Sequence, residues 1–236
     1  MLSSTPVIDV IIPAFNEEAS IGLVVGELPL HLIREVIVCN NNSQDRTAAV
    51  AAEAGATVVT EHRPGYGSAC LRGMAHIARR PAGDLPDIVV FVDGDRSDYP
   101  GQLPELTAPI INLDYDLVIG SRARGEAESG SMTFPQIFGN WLATNLIRLF
   151  YSYEFTDLGP FRAIRYRSLL ALQMEDPDFG WTVEMQVKAA KAGMKCTEVP
   201  VGYRRRIGVS KISGTVRGTL LAGHKILWTI FKLIRS

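Results

Sequence analysis

The 236-residue chain has few of the residues that build disulfide or zinc frameworks, with three cysteines and four histidines. The cysteines are odd in number and far apart, so they indicate neither framework and fit a reducing cytosol. No apolar run reaches the roughly 18–20 residues that span a bilayer. The amino terminus lacks the basic stretch of a signal peptide. With no internal repeat and no long linker, the length predicts one large domain with at most a small appendage.

Acidic residues are absent from the end of the chain, where Glu198 is the last. Residues 199–236 therefore carry a net charge of +8, and residues 1–198 carry −9. A basic tail can serve phosphate groups, anionic lipid or nucleic acid, and its charge alone does not choose between them. Nucleic acid is the least favoured partner, because the tail has no interleaved aromatic platform.

The first half of the chain alternates short β-branched runs with helical stretches. The predicted strands are residues 7–12, 35–39, 57–60, 88–92 and 117–119, and the predicted helices are residues 17–28, 46–54, 68–79 and 103–111. This rhythm predicts an α/β fold with a mostly parallel central sheet flanked by helices. Such sheets bind ligands beyond the carboxyl ends of their strands.

The pattern changes after residue 120. The predicted elements are a polar loop at 122–131, helices at 134–150 and 181–192, a strand at 195–201, a basic loop at 202–214 and a final helix at 215–235. We expect a domain over 1–214 and an appended helix over 215–236. That helix mixes apolar and basic residues, which suits packing on the core, on a partner or on a membrane surface.

The strongest chemical signal is an apolar strand that ends in Asp93-Gly94-Asp95. Two carboxylates at the ligand edge of a sheet suit Mg²⁺ or Mn²⁺, which take oxygen ligands and bridge carboxylates to a substrate diphosphate. Two aspartates in an ordinary turn are the plain alternative. A haloacid-dehalogenase-type phosphatase is a further one, but its motif belongs on the first strand.

Further segments place this motif in a wider context. In order along the chain they are VIIPAFNEEASIG at 10–22, VIVCNNNSQDRT at 36–47, RPGYGSACLRGM at 63–74, VVFVDGDRSDYP at 89–100, VIGSR at 118–122, TDLGPFRAI at 156–164, WTVEMQVKA at 181–189 and VPVGYRRRIGVSKIS at 199–213. Together they resemble family 2 glycosyltransferases with the GT-A fold, in the branch of dolichyl-phosphate mannose synthases and polyprenyl-phosphate glucosyltransferases. The resemblance covers nearly the whole chain.

The resemblance implies a donor site built from several loops. The nucleotide-contacting residues it implies are Pro13, Ala14, Asn16, Glu17, Asn40, Arg63, Gly65, Gly67, Asp93 and Gly94. Asn40 stands where the family commonly has an aspartate that reads the base. Two simpler roles stay open: Asn16 can cap the helix that follows it, and Gly65 can form a tight turn.

The resemblance also implies the groups around the donor diphosphate. Asp93 would face the ribose or the metal and Asp95 would bind the metal, while Ser97 or Asp98 is a further candidate ligand. The diphosphate-binding residues it implies are Arg205, Arg206, Ser210 and Lys211, with the two arginines interchangeable. Guanidinium and ammonium groups suit phosphate oxygens.

On the acceptor side, Asp157 is the candidate base or acceptor-orienting group, and Glu184 is the second candidate. Arg122 and Arg162 are expected to hold an acceptor phosphate, although either can instead pair with a local carboxylate. An acceptor hydroxyl needs a general base. An acceptor phosphate is already anionic and needs mainly positioning.

The sequence therefore predicts an inverting glycosyltransferase that depends on Mg²⁺ or Mn²⁺. We expect it to use a nucleotide-sugar donor, UDP-sugar before GDP-mannose, and a polyprenyl phosphate or other lipid-linked acceptor. The expected location is the cytoplasm, with peripheral contact at the cytoplasmic face of the membrane; a homo-oligomer fits as well. The alternatives are a glycosyltransferase with a small soluble acceptor and a non-catalytic protein that binds nucleotide-sugars.

Overall fold

The computed structural model describes residues 6–208 and 216–234, and of residues 216–222 only the backbone. The strands are β1 (Ile8–Ala14), β2 (Glu35–Asn40), β3 (Thr57–Thr60), β4 (Ile88–Phe91), β5 (Leu117–Ser121), β6 (Arg162–Arg165) and β7 (Cys196–Pro200). The helices are α1 (Ile21–Glu27), α2 (Thr47–Glu53), α3 (Tyr66–Ile77), α4 (Leu103–Leu113), α5 (Phe134–Tyr151), α6 (Tyr166–Ala171), α7 (Trp181–Lys191) and α8 (Val216–Ile234). The predicted α/β architecture is confirmed.

All seven strands form one sheet in the order β3-β2-β1-β4-β6-β5-β7. Strands β1 to β4 are parallel, and β7 is parallel to β5. The chain adds β2 and β3 on one side of β1 and then crosses to place β4 on the other side. This reversal of strand order beside β1 is where open α/β sheets bind ligands.

Apolar side chains alternate between the two faces of the sheet and build a core on each. Ile11, Ile37 and Phe91 point to the face that α3, α5, α7 and α8 cover. Val10 and Val38 point to the face that α1, α2 and α4 cover. The sheet is therefore fixed from both sides, which holds the loops at its carboxyl edge in place.

Strand β6 is the main element that the sequence did not predict. It runs antiparallel between β4 and β5, and all four of its residues are buried. Arginines at both ends hid it, because a buried strand is expected to be apolar. Arg165 donates to the carbonyl oxygens of Tyr115 at 2.9 Å and Ile110 at 2.7 Å, which satisfies its buried guanidinium.

Two helix starts differ from the prediction. Helix α1 begins at Ile21 rather than at residue 17, and Asn16 has a positive φ of 54°, so Asn16 does not cap this helix. Helix α3 begins at Tyr66, two residues before the predicted start.

The final helix packs on the body of the protein, where Ile230 and Leu233 are buried against α5 and α7. Lys225 of this helix forms an ion pair with Asp176 at 3.0 Å. Within the described residues, no helix is long and apolar enough to cross a membrane. The three cysteines are buried and form no disulfide.

Candidate active site

The acidic motif follows β4 at the carboxyl edge of the sheet. Asp95 is buried and accepts hydrogen bonds from the backbone N–H of Ser97 at 2.9 Å and from its hydroxyl at 2.6 Å. Gly94 packs against the end of β1, since a Cβ placed there would lie 3.3 Å from the carbonyl oxygen of Pro13 and 3.5 Å from the Cβ of Ala14. The motif is thus held between its own turn and the first strand.

A guanidinium group faces the motif from the basic loop after β7. Nη1 of Arg206 lies 2.9 Å from Oδ2 of Asp95. The backbone N–H of Ile207 donates to the carbonyl oxygen of Asp95 at 3.0 Å. The loop and the acidic motif, over 100 residues apart in sequence, therefore form one site.

The three arginines of this loop point in different directions. Arg205 donates from Nε at 3.1 Å and Nη2 at 2.7 Å to the carbonyl oxygen of Ser129, away from the acids. Of the two arginines predicted as interchangeable, Arg206 is the one beside Asp95. Ser210 and Lys211 lie outside the described residues.

Asp93 and Asp98 crowd the same site with further carboxylates. Burial raises the pKa of Asp93 to about 6, and the negative charge of Asp95 adds to this shift. The hydroxyl of Tyr66 donates to Oδ1 of Asp93 at 3.0 Å. Asp98 is also buried, its Oδ1 has no hydrogen-bond partner among the described residues, and burial and Asp93 raise its pKa well above the usual value.

The loops after β1 and β2 are joined to each other. Oδ1 of Asn16 accepts the backbone N–H of Gln44 at 2.7 Å, and the backbone N–H of Glu17 donates to Oγ1 of Thr47 at 2.8 Å. These loops and residues 207–208 line an open cavity of about 400 Å³. The cavity lies at the carboxyl edge, where the resemblance implies the nucleotide.

The glycine-rich segment before α3 has a packing role that the sequence did not reveal. Gly67 is buried, and a Cβ there would lie 1.9 Å from the carbonyl oxygen of Asp176. Its neighbour Ser68 donates its backbone N–H to the carbonyl oxygen of Pro177 at 2.8 Å. Gly67 therefore makes a close packing contact with residues 176–177, and its predicted contact with the nucleotide stays a prediction. Arg63, ahead of this segment, is exposed.

Asn40, the predicted base-reading residue, is the last residue of β2. Its Oδ1 is buried and has no partner among the described residues. The neighbouring Asn41 is fully engaged: Nδ2 donates to the carbonyl oxygen of Arg63 at 2.7 Å, and Oδ1 accepts the backbone N–H of Gly65 at 2.9 Å.

Asp157 is held by Arg122 in a bidentate ion pair. Nε of Arg122 lies 2.8 Å from Oδ2, Nη2 lies 2.6 Å from Oδ1, and the backbone N–H of Arg122 donates to Oδ2 at 2.7 Å. Both oxygens of this buried carboxylate are occupied. The guanidinium also lies 5.0 Å from the ring centroid of Tyr203, which connects the pair to the basic loop.

Glu198 of β7 supports Asp157 and was not identified from the sequence. Its Oε1 accepts the backbone N–H groups of Thr156 at 2.8 Å and of Asp157 at 3.1 Å. The sequence signal was an isolated acid in an apolar strand. Tyr66 was missed as well, because a tyrosine that begins a helix is an ordinary core residue.

Two residues predicted on the acceptor side are engaged within the protein. Arg162 is fully buried, donates to the carbonyl oxygens of Leu158, Gly159 and Thr182, and has a pKa lowered to about 10 by burial. Glu184 accepts the backbone N–H of Asp176 at 2.8 Å and pairs with Lys188 at 2.8 Å. These contacts give both side chains a structural role, and their predicted roles on the acceptor side stay predictions.

The strand order and the ligand edge define the fold as that of GT-A glycosyltransferases. The structure of glucosyl-3-phosphoglycerate synthase from Mycobacterium tuberculosis, in complex with Mn²⁺, uridine-diphosphate and phosphoglyceric acid, is similar with a TM-score of 0.76. The similarity covers 97% of this chain and 78% of that one, at 22% sequence identity.

Residues 9–172 match the family described as Glycosyl transferase family 2, and the chain belongs to that family. It is 36% identical over 218 residues to the uncharacterized glycosyltransferase Rv0539 of Mycobacterium tuberculosis, covering 91% of this chain and 94% of the relative. It is 30% identical over 220 residues to an undecaprenyl-phosphate mannosyltransferase of Micrococcus luteus, covering 88% of each. The protein is thus a glycosyltransferase, as the sequence predicted.

We expect the Asp93→Asn substitution to stabilise the metal-free protein at neutral pH. The pKa of Asp93 is raised from 3.8 to about 6 in the folded protein. The protonated side chain therefore stabilises the fold fully below pH 3.8, and this stabilisation is lost as the pH rises through 6. An asparagine carries no such loss, so the free energy of unfolding of the variant should exceed that of wild type by about 1–3 kcal/mol at pH 7.5. The advantage should shrink towards pH 4.

Urea unfolding in a chelator between pH 4 and 7.5 measures this difference. Glu53→Gln, which alters an exposed carboxylate, controls for the general effect of pH. A difference between Asp93→Asn and wild type that does not change with pH would contradict the prediction.

Proposed function

We propose that the chain is a metal-dependent inverting glycosyltransferase that transfers a sugar from a nucleotide-sugar to a polyprenyl phosphate or another lipid-linked acceptor. The observation that carries this proposal is the pairing of Arg206 with Asp95. It brings a fixed positive group to the carboxylates at the edge where GT-A folds bind donors. Positive groups held near a leaving diphosphate stabilise the charge that develops on it.

The residues present fit a divalent cation that is shared with a substrate. Asp95 and Asp98 are buried and Asp93 is partly buried, and among the described residues Arg206 is the one cation that pairs directly with this group of carboxylates. In the part of the chain that the structure describes, no three acidic, histidine or cysteine side chains form a preformed metal site. Mg²⁺ commonly binds through one or two carboxylates and substrate phosphates.

Asp93 and Asp95 would hold the cation, Mg²⁺ or Mn²⁺. When bound, such a cation supplies charge neutralisation at the departing diphosphate. Arg206 would bind the same diphosphate from the opposite side, as a guanidinium fork suits phosphate oxygens. The glucosyl-3-phosphoglycerate synthase structure contains Mn²⁺ and uridine-diphosphate, which supports this arrangement for a related fold.

The base of the donor would lie near Asn16 and Asn40, at the ends of β1 and β2. The unpartnered Oδ1 of Asn40 can accept an N–H group, which uracil and guanine both offer. Both bases fit this group, and we place a UDP-sugar first and GDP-mannose second because the similar glucosyl-3-phosphoglycerate synthase structure contains uridine-diphosphate.

The hydrogen bonds and ion pair of Asp157 favour a phosphate acceptor. Arg122 and its backbone N–H occupy both carboxylate oxygens, and Glu184 is occupied as well. In this structure both carboxylates already have partners, so either one would first have to leave them to act as the general base that a hydroxyl acceptor requires. A phosphate acceptor attacks as an anion and needs only to be positioned. Asp157 would then hold Arg122, and Arg122 would orient the acceptor phosphate.

An exposed aromatic surface supports a lipid-linked acceptor. Phe134, Phe138 and Trp141 lie on one side of α5 and are 78%, 50% and 57% exposed, with consecutive rings in contact. Trp228 of α8 is 59% exposed, and α8 carries exposed basic residues such as Lys232. Aromatic and basic side chains together suit the surface of an anionic membrane, here its cytoplasmic face.

A soluble phosphorylated acceptor is the second candidate. The phosphoglyceric acid named for the glucosyl-3-phosphoglycerate synthase complex is also a phosphate-bearing anion, so Arg122 would suit either acceptor. The two candidates differ in the attacking group, because phosphoglyceric acid offers a hydroxyl that needs a general base. They also differ in the surface on α5, which a soluble acceptor does not need.

An acceptor comparison separates the two. We expect the purified protein with Mn²⁺ and a radiolabelled UDP-sugar or GDP-mannose to label undecaprenyl phosphate in anionic liposomes and to float with those liposomes. Phe138→Ser with Trp141→Ser should reduce flotation and lipid labelling but not donor binding. Labelling of 3-phosphoglycerate instead, with no flotation, would favour the soluble acceptor. Donor binding with no transfer to any acceptor would indicate a non-catalytic protein.

The two neighbouring arginines of the basic loop offer a matched comparison. We expect Arg206→Ala to lower kcat/KM for sugar transfer by about 10²–10³-fold, because a group that neutralises the leaving diphosphate is lost. Arg205→Ala removes a hydrogen bond to Ser129 on the other side of the loop and should stay within about threefold of wild type. Equal losses in both variants would argue against the assignment of Arg206.

A further inference from the structure

One carboxylate contacts both halves of the site. Glu27, the last residue of α1, accepts from Arg96 through Oε1, at 2.8 Å from Nε and 2.6 Å from Nη2. Its other oxygen, Oε2, accepts from Nη2 of Arg204. Arg96 directly follows the acidic motif and Arg204 belongs to the basic loop, so Glu27 joins two segments over 100 residues apart.

The contact with Arg96 holds a strained turn. Arg96 lies between Asp95 and Ser97 and has a φ of +65°, in the left-handed region. A residue other than glycine rarely adopts this conformation and needs surrounding contacts to stay in it. This turn lets the backbone N–H and hydroxyl of Ser97 reach Oδ1 of Asp95, so the conformation of Arg96 sets where Asp95 stands.

The contact with Arg204 holds the basic loop against that turn. Nε of Arg204 donates to the carbonyl oxygen of Arg96 at 2.7 Å. The backbone N–H of Arg204 donates to the carbonyl oxygen of Ser97 at 2.9 Å. The guanidinium carbon lies 4.4 Å from the centroid of the Tyr99 ring. Two residues further on, Arg206 reaches Asp95.

We propose that Glu27 is a positioning residue that fixes Asp95 and Arg206 relative to each other before a donor diphosphate binds. This inference rests on the proposed function. Without the carboxylate, two guanidinium groups would stand together with no shared counter-charge, and the turn and the loop would lose their common anchor. Preorganised charges stabilise a leaving group because they need no rearrangement during the reaction.

The test compares Glu27→Gln with a matched control. Glu35→Gln alters a carboxylate that also contacts two basic groups, Arg80 and His76, but stands at the amino end of β2, on the far edge of the sheet. Calorimetric binding of UDP and of GDP with Mn²⁺ is measured for wild type, both variants, Arg206→Ala and the double variant Glu27→Gln/Arg206→Ala. Hydrogen exchange of residues 95–98 and 203–207 is followed without nucleotide.

We expect Glu27→Gln to weaken nucleotide binding about tenfold or more, in the range of supporting residues around ligand sites, and Glu35→Gln to leave it unchanged. The combined loss in the double variant should be smaller than the product of the two single losses, because part of the effect of Glu27 runs through the position of Arg206. Exchange in both segments should quicken in Glu27→Gln and not in Glu35→Gln.

Wild-type binding in Glu27→Gln, an additive loss in the double variant or unchanged exchange would each overturn the inference. Failure of the proposed function would look different: the wild type would bind neither nucleotide. Faster exchange in Glu27→Gln would then still support the role of Glu27 in holding the turn and loop, and unchanged exchange would overturn that role too.

Discussion

The site depends on the ion pair between Arg206 and Asp95. It places the guanidinium group of Arg206, in the basic loop, against the carboxylates that follow β4, at the point where the strand order reverses. Asp93, Asp95 and Asp98 stand close together in this small space, and burial, together with their mutual repulsion, raises the pKa values of Asp93 and Asp98. Such an arrangement is stabilised by positive charge, which a cation bound with a diphosphate would add to that of Arg206.

The rest of the fold serves to keep these charges in place. Apolar cores on both faces fix the strand ends, and residues 176–177 pack against the glycine-rich segment that carries Tyr66 to Asp93. Arg122 and Asp157 neutralise each other. Among the described residues, the acidic motif and Asp98 therefore carry more negative charge than Arg206 balances, which fits the metal–diphosphate donor that we propose.

The sequence was sufficient for the fold class, the ligand edge, the acidic motif and the basic loop, because each depends on local pattern and on the order of segments. The sequence was less informative where the same charged side chain fits either a ligand-binding role or a structural role. Arg162 and Glu184 were predicted as site residues, but in the structure Arg162 donates to backbone carbonyl oxygens and Glu184 accepts from backbone N–H groups, contacts that the sequence does not show. Strand β6 was not predicted because it begins and ends with the buried residues Arg162 and Arg165. Arg205 and Arg206 could not be told apart because the sequence does not show which side of the loop faces the acidic motif.

The most direct measurement is a Mn²⁺ titration followed by the electron paramagnetic resonance signal of the free ion, with and without UDP or GDP. If Asp95 and Arg206 face each other to enclose a metal–diphosphate, the wild type should bind Mn²⁺ more tightly when the nucleotide is present. Asp95→Asn should then lose most of that binding, and Arg206→Ala should lose the enhancement by nucleotide. Undiminished, nucleotide-enhanced Mn²⁺ binding in Asp95→Asn would contradict the account.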